Sequence, residues 1–271
     1  PEFFAQSPFL AKLLAMAGVK NWVEYGSRNY GNHPERQVEY FQLKSADSRA
    51  VLQRERHGTL FADVERQLDL YLRALWCDSD TLVPYSTAFD EIRKPIPYYD
   101  KLGLRVPDVF DDAQGVAGLD RYRAVLAHMI GHRRWSKPQI ADNWSPFQRM
   151  AVEFFEDCRV ETLLIREYPG LRRIFLALHP KPVENACDPE TTSCLRHRLT
   201  MLSRALLDPD HGYADKNLLE YVRRFHDQLA ASTSSTSEIA GLALSYVTRT
   251  RRQSDQLAKV HFVDTVIDYR D

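Results

Sequence analysis

Apolar residues recur at helical spacing through most of this chain, and the breaks between them fall at prolines, glycines and short polar tracts. From Leu60 to Trp76, the residues Leu60, Phe61, Val64, Leu68, Tyr71, Leu72 and Leu75 trace one face of an amphipathic helix with charges between them. A second helix is predicted from the Gly118 to Asp120 region to about Trp135, with Asp120 as N-cap and Tyr122, Val125, Leu126, Met129 and Ile130 on its apolar face. Ser145 followed by Pro146 opens a third, which runs to about Tyr168 ahead of Pro169-Gly170. Further helical patterns cover roughly Thr191 to Leu207, Ala214 to Ala230 and Glu238 to Arg252, the tract STSSTS (232–237) serving as a cap.

The first half is less regular. Phe9 to Ala17 gives a short helical pattern stopped by Gly18, and Trp22 to Tyr25 is an apolar patch before the turn-rich RNYGNHP. The run VEYFQL from Val38 to Leu43 reads equally as a strand or a helical turn, because a short apolar run has no diagnostic period. Between Asp78 and Asp112 the prolines Pro84, Pro95, Pro97 and Pro107 disfavour helix, so an extended crossover is expected, with a short strand over Leu104 to Val109. The expectation is a mainly α, multi-helix globular domain over 1–271 with a few short strands in its first half. Its substructure would be a mixed, Pro-rich 1–112 and a helical 113–271.

Composition narrows the function classes. With 36 basic and 37 acidic residues among 271, whole-molecule charge points to neither a nucleic-acid partner nor an anionic membrane. No run reaches the roughly 18 apolar residues of a membrane span, and no signal-peptide pattern opens the chain, so a cytoplasmic location is expected. Cys77, Cys158, Cys187 and Cys194 lack CxxC spacing and are expected to be reduced thiols. Neither a Walker A motif nor GxGxxG is present, which argues against nucleotide chemistry in this chain.

The candidate chemistry lies between Arg121 and Glu161, in RYRAVLAHMIGHRRWSKPQIADNWSPFQRMAVEFFEDCRVE. His128 and His132 are one turn apart on one helix face, and Glu153 and Asp157 repeat that offset on the next helix. Two imidazoles at this spacing suit Zn²⁺, with Glu153 as a third ligand. Met129, however, stands where the zincin motif HExxH has its glutamate base, so hydrolysis lacks its proton acceptor. The alternative is that both histidines hydrogen-bond Glu156 or Asp157 across a helix pair. Glu156, Asp157, Arg159 and Glu161 read as a helix-locking ion network, since Arg pairs with carboxylates in bidentate fashion. Cys158 reads as a core thiol. Arg133-Arg134 and Arg249, Arg251 and Arg252 are basic patches at helix ends, where the dipole favours cations. No catalytic residue is assigned.

RYRAVLAHMIGHRRWS followed by FEDCRVE resembles the region upstream of the von Willebrand factor A domain in the CbbO and NorD proteins. The segments RNYGNHPERQVEYF, DVERQLDLYLRALW and LRVPDVFDD are more similar to CbbO. The resemblance covers most of residues 26–180. It implies a non-enzymatic adaptor that works with a hexameric MoxR-type AAA+ ATPase, CbbQ, to remodel inhibited Rubisco. A NorD-like role in activating nitric oxide reductase and a zincin-like metal-binding or hydrolase domain are the alternatives. Family members carry a DxSxS metal-ion-dependent adhesion site in the von Willebrand factor A domain. This chain has no DxSxS, so the resemblance implies an N-terminal portion that lacks that domain, with ATPase docking and mechanical coupling as its tasks.

Overall fold

The structure is a computed structural model describing residues 2–14, 16–56, 58–87, 97–188, 193–231, 234–255, 267 and 269–270. Among these residues the fold is mainly α, with eleven helices and five short strands, all the strands lying in the first half. The chain divides into two compact units, Pro1–Tyr122 and Arg123–Asp271. The division falls later than the expected break at Asp112, within a helix.

The first unit begins with α1 (Glu2–Leu13), α2 (Met16–Tyr30), α3 (Pro34–Phe41) and α4 (Ala46–Glu55). Gly18, expected to stop a helix, instead lies inside α2. A Cβ there would sit 2.9 Å from the Glu55 carbonyl oxygen, so the glycine permits close approach of α4 to α2. Residues 38–41 of VEYFQL are the end of helix α3, with Pro34 at its first turn and Tyr40 fully buried, and Gln42 and Leu43 form the turn that follows. Tyr40 stacks on Trp22 at 5.0 Å, and its hydroxyl donates to the Trp22 carbonyl. Leu10, Leu14, Val51 and Leu52 complete this small core.

After β1 (Thr59–Leu60), α5 (Phe61–Trp76) follows the predicted amphipathic stretch and buries Phe61, Val64, Leu68 and Leu72. The Pro-rich crossover then forms β2 (Leu82–Tyr85), β3 (Tyr98–Asp100), β4 (Gly103–Pro107) and β5 (Val109–Phe110). β4 is the centre of a three-stranded sheet, parallel to β2 and antiparallel to β3. Pro84 is tolerated because β2 is an edge strand. β5 pairs antiparallel with β1. Pro95 lies outside the described residues.

α6 (Gly118–Trp135) runs across the division into the second unit. That unit continues with α7 (Pro146–Glu167), α8 (Leu171–Leu178), α9 (Cys194–Leu207), α10 (Lys216–Ala231) and α11 (Thr236–Thr250). α7 is buried along most of its length and packs against α9 and α11, with Phe155 touching Phe225 and Tyr246. Its N-terminus carries a capping box in which Ser145 and Gln148 satisfy each other's backbone donors. Ser235, within the tract expected to cap α11, is its N-cap and forms a second capping box with Glu238. Thr191, the expected start of α9, lies outside the described residues, and Ser193 is the N-cap. No described helix is long and apolar enough to cross a membrane.

The expectation of four reduced cysteines is corrected. Cys187 and Cys194 are joined in a disulfide with Cα atoms 5.6 Å apart, leaving Cys77 exposed and Cys158 buried as free thiols. CxxC spacing is a signature of metal and redox motifs and is no requirement for pairing. What pairing requires is Cα atoms within bonding reach, and these two satisfy it seven positions apart.

Candidate functional site

His128 and His132 lie one turn apart on α6, and Gly131 between them sets how closely that helix meets α7. A Cβ at Gly131 would sit 2.5 Å from Val160 Cγ1 and 3.0 Å from Leu164 Cδ1. The missing side chain therefore lets the histidine ridge reach the carboxylates of α7. His132 faces Asp157, while His128 faces both Asp157 and Glu161, so the two helices run antiparallel here.

Three atoms converge. The Nε2 atoms of His128 and His132 are 3.1 Å apart, and Asp157 Oδ1 lies 3.3 Å from His132 Nε2 and 3.9 Å from His128 Nε2. Among the described residues this is the group of His, Cys, Asp and Glu side chains arranged to hold a metal ion. Glu153, the third ligand expected from sequence, is exposed one turn earlier on α7 and acts electrostatically on Arg196. Asp157 takes its place, because the helix register brings the Asp157-Glu161 ridge to the histidines rather than the Glu153-Asp157 ridge. Met129 is fully buried and supplies no base.

The outer nitrogens of the two imidazoles differ in their surroundings. His132 Nδ1 lies 2.9 Å from Ser136 Oγ, and the Ser136 hydroxyl donates to Glu156 Oε1 at 2.5 Å. His128 Nδ1 faces Glu161 Oε1 at 3.5 Å. Ser136 is not among the residues expected from sequence, although positions 128, 132 and 136 share the i, i+4 spacing of one helical ridge.

The network expected from Glu156, Asp157, Arg159 and Glu161 is present, but as two separate forks. Arg159 is buried and grips Glu156, its Nη2 donating at 2.5 Å and its Nε at 2.8 Å. It also donates to the carbonyls of Trp135 and Ser234, tying the end of α6 to the start of α11. Burial alone would raise the Glu156 pKa, but the hydrogen bonds from Arg159 and Ser136 outweigh it and hold the carboxyl below its ordinary range. The second fork is Arg270 on Glu161, with Nε 2.7 Å from Oε1 and Nη2 3.0 Å from Oε2. Arg270 Nη1 also reaches Asp157 Oδ2 at 3.5 Å, on the side away from the histidines.

Cys158 is confirmed as a core thiol. Burial pushes it up to about 12, and its Sγ–H donates to Ser203 Oγ at 3.2 Å, which removes it from nucleophilic chemistry. Of the basic patches, Arg134 pairs with Glu167 at 3.1 Å. Arg249 pairs with Glu220 at 3.3 Å. Arg249, Arg251 and Arg252 line a cavity of about 260 Å³ whose other walls include Glu184 and Asp215, so its charge is mixed. No family model matches the chain, and no curated protein or solved structure matches it either.

Proposed function

We propose that this chain is the N-terminal adaptor module of a CbbO-like protein, which docks a hexameric AAA+ ATPase of the CbbQ type and passes its movements toward inhibited Rubisco. The observation carrying this reading is the run from Arg121 to Glu161, whose similarity to CbbO and NorD is concentrated on α6 and α7. A coupling element must move as one body, and the buried forks of Arg159 and Arg270 are suited to that task. Arg159 binds α7 to the end of α6 and the start of α11, and Arg270 binds the C-terminal segment to α7, so sliding any of these past α7 would leave a buried charge uncompensated. Coupling further requires that two nucleotide states of the motor bind the module with different free energies.

The test is co-migration of the purified protein with a CbbQ-type hexamer on size exclusion, with ATP and without nucleotide. Association that changes with nucleotide supports the adaptor, and its absence in both states overturns it. Replacing Rubisco with nitric oxide reductase as client in an activation assay separates the CbbO-like from the NorD-like role. A cytoplasmic setting belongs to this reading. A second reading, a metal-dependent hydrolase, draws on the convergence of His128, His132 and Asp157 and is opposed by the buried Met129.

A further inference from the structure

We infer that His128 Nε2, His132 Nε2 and Asp157 Oδ1 form a binding site for one divalent transition-metal cation of the zinc type. This inference is independent of the adaptor reading.

Hydrogen positions around the cluster carry the argument. Ser136 has one hydroxyl hydrogen, and it goes to Glu156, so Ser136 Oγ accepts from His132 Nδ1–H. In the neutral imidazole that places the lone pair of His132 on Nε2. Glu161 Oε1 lies 3.5 Å from His128 Nδ1, too long and misaligned for a hydrogen bond, but its negative charge favours a proton on that nitrogen and so the same tautomer in His128. Two imidazole lone pairs and a carboxylate oxygen then point at one another across 3.1, 3.3 and 3.9 Å. Three acceptors at such distances repel unless a cation or a shared proton lies among them. A carboxylate behind a ligand histidine is also the usual outer partner of a metal site, since it fixes the tautomer and raises ligand basicity.

Size and chemistry favour the cation. With Zn–N near 2.0 to 2.1 Å and Zn–O near 2.0 to 2.2 Å, tetrahedral ligands stand about 3.3 to 3.5 Å apart. The observed edges bracket this spacing, and a small turn of the Asp157 carboxylate shortens the longest. Arg270 approaches Asp157 through Oδ2, leaving Oδ1 directed at the imidazoles. Paired imidazoles disfavour magnesium and calcium, which prefer oxygen ligands, and suit first-row transition metals. The side chains of His132 and Asp157 remain 18% and 14% exposed, which gives the ion an entrance and leaves a fourth position for water.

The test uses the whole chain, stripped with chelator and titrated with Zn²⁺ by calorimetry, with bound metal counted by mass spectrometry. Co²⁺ substitution reports coordination through visible d–d absorption. A single equivalent of zinc and a tetrahedral Co²⁺ spectrum are expected. Asp157→Asn and His132→Gln should abolish both, Glu153→Gln should leave both unchanged, and Ser136→Ala should weaken zinc about 10- to 100-fold. Circular dichroism establishes that each variant is folded. A featureless Co²⁺ spectrum with the unmodified chain, or zinc uptake that survives loss of both Asp157 and His132, would overturn the inference and leave a shared proton in the cluster.

Discussion

Arg270 forks onto Glu161 across 109 positions of sequence, Nε 2.7 Å from one carboxylate oxygen and Nη2 3.0 Å from the other. Both side chains are almost wholly buried. Burial alone would lower the Arg270 pKa, but the carboxylate charges of Glu161 and Asp157 help raise it well above its ordinary value, so it stays charged inside the core. Truncating one partner strands the other as a buried charge. Arg270→Ala and Glu161→Gln are each expected to cost about 3 to 5 kcal/mol. Replacing the pair together by Met and Leu should recover much of that loss. Urea denaturation of metal-free protein measures all three, and a double variant as unstable as either single one would contradict the argument.

Two glycines should respond to alanine with opposite sign. At Gly131 the added carbon meets Val160 and Leu164 within 3.0 Å, so overpacking should cost about 1 to 3 kcal/mol. At Gly241, exposed inside α11 with nothing within 4 Å, alanine should stabilise by about 0.4 to 1 kcal/mol through the unfolded chain. Thermal denaturation of the two variants side by side checks the contrast.

Acid should destabilise the second unit from near neutrality downward. His179 is buried, and desolvation, with Arg270 nearby, lowers its pKa well below the usual 6.5. Its Nδ1–H donates to the Pro180 carbonyl and its Nε2 accepts from Ser203, an arrangement that suits the neutral ring. Its folded pKa is depressed, so the unfolded chain takes up the proton first. Stability is then complete above the unfolded pKa and falls as pH drops toward the folded value. His226, lowered chiefly by desolvation, acts in the same direction. Denaturant midpoints should fall from pH 7.5 to 5.5, and His179→Gln should flatten that slope. A slope unchanged in the variant would remove His179 as its cause.

Thiol titration should separate the four cysteines. Cys77 is exposed and should react quickly with an aromatic disulfide reagent, whereas buried Cys158, pushed up to about 12 by desolvation, should react only after unfolding. Cys187 and Cys194 should appear only after reduction. Four thiols in the unfolded, unreduced protein would show that the disulfide does not form.

Much of this was legible in local pattern. The period of Leu60 to Trp76 fixed α5, Ser145-Pro146 fixed the start of α7, and STSSTS fixed the cap of α11. These are short-range effects, in which a capping hydroxyl or an apolar stripe acts within one or two turns. The pairing of histidines with α7 carboxylates was legible too, because i, i+4 spacing puts like residues on one face.

Which carboxylate meets the histidines was not. Glu153 and Asp157 occupy equivalent positions one turn apart on α7, and a shift of one helical turn exchanges them. The close packing of Gly131 against Val160 and Leu164 decided that register, and no local spacing encodes it. Arg270 and the Cys187–Cys194 bond belong to the same category. The sequence by itself determined the helices, their caps and the kinds of ligand available. Tertiary structure alone decided which ligands converge, because convergence depends on distances between segments that only packing sets.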